Sequence, residues 1–147
     1  WLQLFVGQGA KKMKKIIIGA IAAVVLILGA NAVYVGIPSW SATSKDPRNA
    51  KLVMLAHLRW GIDPSTLVLD LISIQPTASM VDVDRALLDI ASAMKGRTFN
   101  KVELAYRGKA KLQMHGAYFN TLGVERNTQN PVYTIRTMPE NMMDMEG

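Results

Sequence analysis

An uninterrupted apolar run from Ile16 to Ile37 (IIIGAIAAVVLILGANAVYVGI) is the longest hydrophobic pattern in the chain. It holds no charge, and its one strongly polar side chain is Asn31. Because a backbone in hydrocarbon must satisfy its own hydrogen bonds, a run of this kind is expected to be helical. Its 22 residues would extend about 33 Å, enough to cross a bilayer core of about 30 Å. The run therefore predicts a membrane-spanning helix.

A cleavable secretory signal peptide is the second interpretation of the same run. Ala30-Asn31-Ala32 fits the small-x-small cleavage pattern, so cleavage would follow Ala32 and release a soluble periplasmic domain. Apolar character continues to Ile37 and stops at Pro38, which favours a retained anchor. In both interpretations the lysines that precede the run hold its N-terminal end in the cytoplasm, at a bacterial inner membrane with the C-terminal domain in the periplasm. These are Lys11, Lys12, Lys14 and Lys15.

The residues ahead of this run have no pattern of their own. Met13-Lys14-Lys15 before an apolar run is typical of a bacterial start, and codons allowed for Gln8-Gly9-Ala10 can spell a ribosome-binding sequence. We therefore expect Trp1–Lys12 to be a translated leader, or otherwise a short cytoplasmic tail. Recovery of peptides from Trp1–Lys11 in the native protein would contradict the leader.

After the apolar run, the small and polar segment Pro38–Asp46 predicts a linker, and residues 47–138 suit one modest domain. Asp46-Pro47 is a good helix start. The apolar residues that follow at helical spacing predict a helix that Gly61 closes. They are Ala50, Val53, Met54, His57 and Leu58.

Two further elements have clearer patterns. Thr66–Ile74 is apolar except at Asp70 and Ser73, which is typical of an interior strand. Ser79 with Asp82 resembles a capping box, and an apolar stripe follows at helical spacing, so Ser79–Lys95 is predicted to be a helix.

Strict alternation of apolar and charged residues then predicts an antiparallel hairpin on either side of Arg107-Gly108. Its charged positions place four basic residues on one face, which we interpret as a candidate interaction face: Lys101, Arg107, Lys109 and Lys111. Ala117–Arg126 is predicted to be a short helix, Val132–Met138 fits a helix or a strand, and residues 139–147 are predicted to be a flexible, Met-rich tail. The expected fold is α+β: a transmembrane or signal helix, then a small domain whose short antiparallel-containing sheet packs on helices, chiefly Ser79–Lys95.

The composition excludes several classes. The net charge is +6, but from Val33 onward 13 basic residues face 11 acidic ones, a net of +2, so most of the excess precedes the apolar run. A nearly neutral domain does not favour nucleic acid as a partner. With no cysteine, disulfides and a lipid anchor on cysteine are excluded.

The candidate chemistry is sparse. None of the common catalytic, phosphate-binding or metal motifs occurs, so neither a catalytic residue nor a cofactor is predicted. A small hydrolase built on His57 or His115 with Asp70 stays an alternative. Asp70 lies in an apolar strand, where an unpaired charge is costly, and we expect it to form a structural ion pair with a cation of the hairpin.

Two groups of residues have side chains of the kinds that bind metal ions. Asp82, Asp84 and Asp89 are explained as helix charges, and EF-hand spacing is absent, so calcium is not predicted. The methionines near the C-terminus suit Cu(I), so a periplasmic copper-binding protein is an alternative, although a tail or a cover for the core explains them too. They are Met138, Met142, Met143 and Met145.

The function expected from these observations is that of a non-catalytic interaction module held at the membrane of the bacterial cell envelope. Its partners would be the inner membrane, through Ile16–Ile37, and an envelope protein or anionic lipid at the basic face. No motif is specific enough to name a resemblance to a known family.

Overall fold

The computed structural model describes residues 2–147, except for the side chains at positions 2, 4, 5 and 6. The chain divides into two compact units, Trp1–Ala30 and Asn31–Gly147. Trp1 lies outside the described residues, and the rest of the predicted leader is helical, as part of helix α1 (Leu2–Asn31). By length and composition the N-terminal helix could cross a membrane, a test that a signal sequence in this position also passes.

The second unit begins with helix where a linker was predicted. A π-helical turn (Ala32–Gly36) leads into helix α2 (Ile37–Ser44). The hydroxyls of Ser39 and Thr43 donate to the carbonyl oxygens one turn earlier, of Val35 and Ser39, and both side chains are buried. The small polar residues that indicated a linker therefore bond back to their own helix, and Pro38 stands in its first turn, where a missing N–H is tolerated.

The helix predicted after Asp46 is wrong beyond its first turn. Asp46 does cap a helix, since its carboxylate accepts from the N–H of Arg48, but this is a short 3₁₀ helix (Pro47–Lys51). Strand β1 (Leu52–Arg59) follows, with alternate residues buried. The apolar positions fit either period, and pairing along the neighbouring strand decides between them, because a strand needs a partner that the local pattern does not reveal.

The sheet has five strands in the order β1-β2-β3-β4-β5. Strand β2 (Asp63–Ile74) forms an antiparallel hairpin with β1, and it lies inside the sheet as predicted. Strand β3 (Lys101–Tyr106) runs parallel to β2, and helix α3 (Met80–Ala93) makes the crossover between them. Strand β4 (Lys109–His115) completes the predicted hairpin with β3, although a bulge interrupts it between Leu104 and Ala105.

Helices cover one face of this sheet, and the α+β prediction is confirmed. Helix α4 (Gly116–Glu125) packs against α3, which also packs against α2. Gly123 makes the close approach possible, because a Cβ there would lie 2.3 Å from the carbonyl oxygen of Ala91. Side chains from both layers form the core, including Leu67, Leu69, Leu87, Ile90, Val102, Met114, Phe119 and Leu122.

The C-terminal part has more regular structure than predicted. Helix α5 (Pro131–Thr137) is capped by the Asn130 side chain, which resolves the ambiguous segment as a helix. A 3₁₀ turn (Met138–Asn141) and a two-residue strand β5 (Met143–Asp144) follow, and β5 pairs with β4. The side-chain amide of Gln113 donates to the carbonyl oxygen of Asp144 at 2.8 Å, so the segment predicted to be a flexible tail extends the sheet.

Two carboxylates at the start of α3 experience opposite environments. The predicted capping box is present. The Ser79 backbone N–H, and then the Arg85 guanidinium, lower the pKa of Asp82 from 3.8 to about 2. Burial raises the pKa of Asp84, two residues further on, because it disfavours the charged form.

These shifts predict opposite effects of two matched substitutions. A carboxylate with a lowered pKa stabilises the folded state above its ordinary pKa, and that contribution is lost as the pH falls through the folded value. We therefore expect Asp82→Asn to lower the Tm of the full chain in detergent at neutral pH, and the difference to close between about pH 4 and pH 2.

Asp84→Asn is the control for this experiment. It removes a charge that burial disfavours, so the Tm at neutral pH should stay unchanged or rise. Thermal unfolding followed by circular dichroism across this pH range measures both variants. Equal decreases of the Tm for Asp82→Asn and Asp84→Asn at neutral pH would contradict the opposite effects of the two carboxylates on stability.

Candidate binding site

The sheet face opposite the core contains a cleft of about 230 Å³. We call this face the open face. Its floor comes from adjacent strands, because Val68 pairs with Glu103 and Asp70 pairs with Ala105 in the parallel register of β2 and β3. The remaining lining residues are His57, Arg59, Trp60, Gly108 and Ala110. Two buried carboxylates thus lie at the bottom of one cleft.

The first carboxylate, Asp70, is held by the backbone and not by a cation. The N–H of Gly108 donates to both of its oxygens, at 3.1 and 2.9 Å. Arg107 and Gly108 both have positive φ, 49° and 80°, as a tight hairpin turn requires. Within the described part of the chain no Lys or Arg nitrogen lies within 4.0 Å of Asp70, so the ion pair expected from the sequence does not form.

The second carboxylate, Glu103, belongs to the charged positions of the predicted hairpin and is only 4% exposed. Its Oε1 lies 3.3 Å from Nη1 of Arg59 and 3.1 Å from Nζ of Lys101. Neither contact has hydrogen-bond geometry, and among the described residues this oxygen has no hydrogen-bond partner. It is therefore a buried carboxylate oxygen that two cations stabilise and that is not itself accessible from the cleft.

The two histidines lie in different places. His57 is on β1, half-buried in the cleft, with Nδ1 3.0 Å from the carbonyl oxygen of Leu58. His115 is an exposed residue at the end of β4 and does not line the cleft. The structure thus brings His57 and Asp70 into one cleft, but the residues that line it include no hydroxyl or thiol to serve as a nucleophile.

The four basic residues do not follow the alternation that predicted one face. Lys101 lies beside Glu103. The Arg107 guanidinium lies 5.3 Å from the centre of the Tyr106 ring, and Nε is 3.4 Å from the carbonyl oxygen of Ile72. Past the bulge, Lys109 pairs with Tyr106, which places Lys109 and Lys101 on opposite faces. Lys111 is exposed at the bulge, so the set is spread along the hairpin.

The other candidate metal residues have structural contacts. Asp89 accepts from the side chains of Asn49 and Arg126, at 2.9 Å each. Met138 is buried in the core and Met142 packs against it. In the part of the chain that the structure describes, no three His, Asp or Glu side chains are grouped to hold a metal ion.

Known proteins offer no assignment for this cleft. No protein-family model matches the chain, and neither a curated protein nor a solved structure is significantly similar to it. The interpretation therefore depends on the geometry of the open face itself.

The backbone contact of Asp70 can be tested by substitution. Asp70→Ala leaves the N–H of Gly108 without its acceptor, and we expect it to lower the free energy of unfolding by about 1–3 kcal/mol. Asp70→Asn retains a carbonyl acceptor and should cost less. Lys109→Ala and Lys111→Ala, the controls for an ion pair, should each change stability by less than about 0.5 kcal/mol. Denaturant unfolding measures these free energies. If Asp70→Asn lowered the free energy of unfolding as much as Asp70→Ala, and a lysine variant lowered it equally, an ion pair would hold Asp70 instead of the Gly108 N–H.

Proposed function

We propose that this chain is a membrane-anchored, non-catalytic interaction module of the bacterial cell envelope, and that it binds its partner in the cleft of the open face. The observation that supports binding is the cleft itself, a hollow of about 230 Å³ on the open face that charged side chains line. The Arg59 side chain is 40% exposed there, and its guanidinium lies 3.3 Å from the buried carboxylate of Glu103. A polar partner with an acceptor group can therefore contact Arg59 without reaching the buried carboxylate.

Retention of the anchor has separate support. Asn31 is buried, and its Oδ1 accepts from the backbone N–H of Leu58 at 3.2 Å. Cleavage after Ala32 would remove Asn31 and leave that N–H without a partner, at a cost of about 1–3 kcal/mol. This favours a tethered domain over a released one, and the lysines before the apolar run favour a domain on the periplasmic side.

We expect the partner of the cleft to be an envelope protein or another polar component, and not anionic lipid. Arg107 and Lys109 lie at the turn between β3 and β4. The opposite end of β3, where Lys101 pairs with Thr66, is about 16 Å away along the strand. Asn31 contacts the sheet near Leu58, which pairs with Leu67, so the basic turn and the contact with Asn31 lie at opposite ends of the sheet.

A small hydrolase is the second candidate, favoured by the placement of His57 and Asp70 in one cleft. The bond between Asp70 and Gly108, and the lack of a nucleophile among the lining residues, favour binding over catalysis. For the copper alternative, the packing of Met138 and Met142 against the core leaves fewer thioethers available.

Site-specific photocrosslinking in bacterial cells tests the proposed interaction. We would replace Leu55, which is exposed on the open face beside Asp70, with benzoylphenylalanine in the full chain. After irradiation we expect a discrete adduct in the membrane fraction. Adding Glu103→Gln should weaken the adduct, because a neutral amide no longer holds the Arg59 guanidinium beside the cleft.

Val124 is the matched control position, since it is similarly exposed but lies on α4, on the helical side of the sheet. The same probe there should give no such adduct. Adducts of equal yield from both positions, or none from position 55, would contradict binding at the open face.

A further inference from the structure

The turn between β1 and β2 exposes two large apolar side chains to solvent. Trp60 is 81% exposed and Ile62 is 63% exposed. Trp60 also has a φ of 56°, a conformation that bulky residues rarely adopt. We call Trp60–Ile62 the tip. A strained turn that holds an indole out in solvent indicates a surface contact at this point.

The tip lies near Asn31, the first residue of the second unit. The Leu58 N–H bonds to Asn31, and a methyl group placed on Gly36 would lie 3.7 Å from the carbonyl oxygen of Ala56. Strand β1 therefore runs back along this helical segment, and Trp60 follows two residues after the contact with Asn31. Asn31 is joined by its peptide bond to Ala30, the last residue of the first unit.

The last seven residues of the predicted 22-residue span belong to the second unit, which leaves a shorter segment ahead of the domain. Between Lys15 and the domain there are only the 15 residues Ile16–Ala30. As a helix they extend about 22 Å, against a hydrocarbon core of about 30 Å. A short span is accommodated by thinning the bilayer or by drawing flanking groups into it. The flanking groups here are apolar, since Val33 and Ile37 on the adjoining helix are exposed as well.

We propose that the tip inserts into the outer interface of the same lipid bilayer that holds the anchor. Tryptophan is suited to this depth, because its ring is amphipathic. The neighbouring Asp63 accepts from the hydroxyl and the N–H of Ser65, at 2.6 and 2.9 Å, and these bonds lower the pKa of its carboxyl. Asp63 therefore stays charged, which limits the tip to the head-group level of the bilayer. The inference rests on the retained anchor of the proposed function and makes the domain a peripheral part of the membrane surface.

The chain has no cysteine, so a single nitroxide label can report depth. We would label Ile62→Cys in the full chain, reconstituted in vesicles of phosphatidylcholine and phosphatidylglycerol, and compare collisions with oxygen and with a water-soluble nickel chelate. We expect a severalfold lower nickel accessibility than for the same label at Met80→Cys. Met80 is 71% exposed and stands near Thr77, whose carbonyl oxygen is 3.5 Å from Nζ of Lys51, at the end of β1 away from the tip.

Equal nickel accessibility at the two positions, in chains that float with the vesicles, would overturn insertion of the tip and leave the anchor intact. It would point to a protein partner at the tip. A chain that does not float with the vesicles would overturn the anchor itself. As a second measurement, Trp60 fluorescence in a Trp1→Phe, Trp40→Phe chain should shift to shorter wavelength and be quenched by brominated lipid; emission unchanged by vesicles would contradict the proposal.

Discussion

The hydrogen bond from the Leu58 backbone N–H to the Asn31 side chain fixes the first residue of the second unit to strand β1. Asparagine is the one strongly polar residue of the apolar run, and an amide in hydrocarbon is costly unless it is bonded. The structure resolves this conflict by burying Asn31 in the domain. The contact also covers part of the outer edge of β1, which as an edge strand would otherwise expose unpaired backbone groups.

The two faces of the sheet are stabilised in different ways. The helical face is a conventional apolar core, with α3 and α4 brought together at Gly123. The open face buries charges, and each is handled separately: a turn N–H holds Asp70, whereas Arg59 and Lys101 neutralise Glu103. Arg59 is also partly exposed in the cleft, which is why the proposed binding depends on the pair of Arg59 and Glu103.

Sequence patterns that extend over a few residues correctly predicted a helix and a hairpin. The capping box at Ser79 and the alternation around Gly108 each specify an element through residues a few positions apart, and both elements are present. His57 illustrates the opposite case, since its segment fits a helical and a strand period equally well and pairing with β2 decides.

The candidate site was predicted less completely for the same reason. Asp70 was identified from the sequence as a buried charge, but its partner is a backbone N–H, which has no sequence signature. Glu103 was missed because burial of the open face requires β3 to lie between β2 and β4, and the parallel pairing that puts it there follows from the crossover through α3. The prediction of a linker at Pro38–Asp46 was wrong because small polar residues that bond within a helix resemble those of a loop.

We infer that the apolar helix stays attached to the domain in the native protein, because Asn31 is buried in the domain. The intact mass of the native protein in the membrane and soluble fractions of its host tests this inference. We expect a membrane-bound chain that still contains Asn31. A soluble, folded chain that begins at Val33 would contradict it.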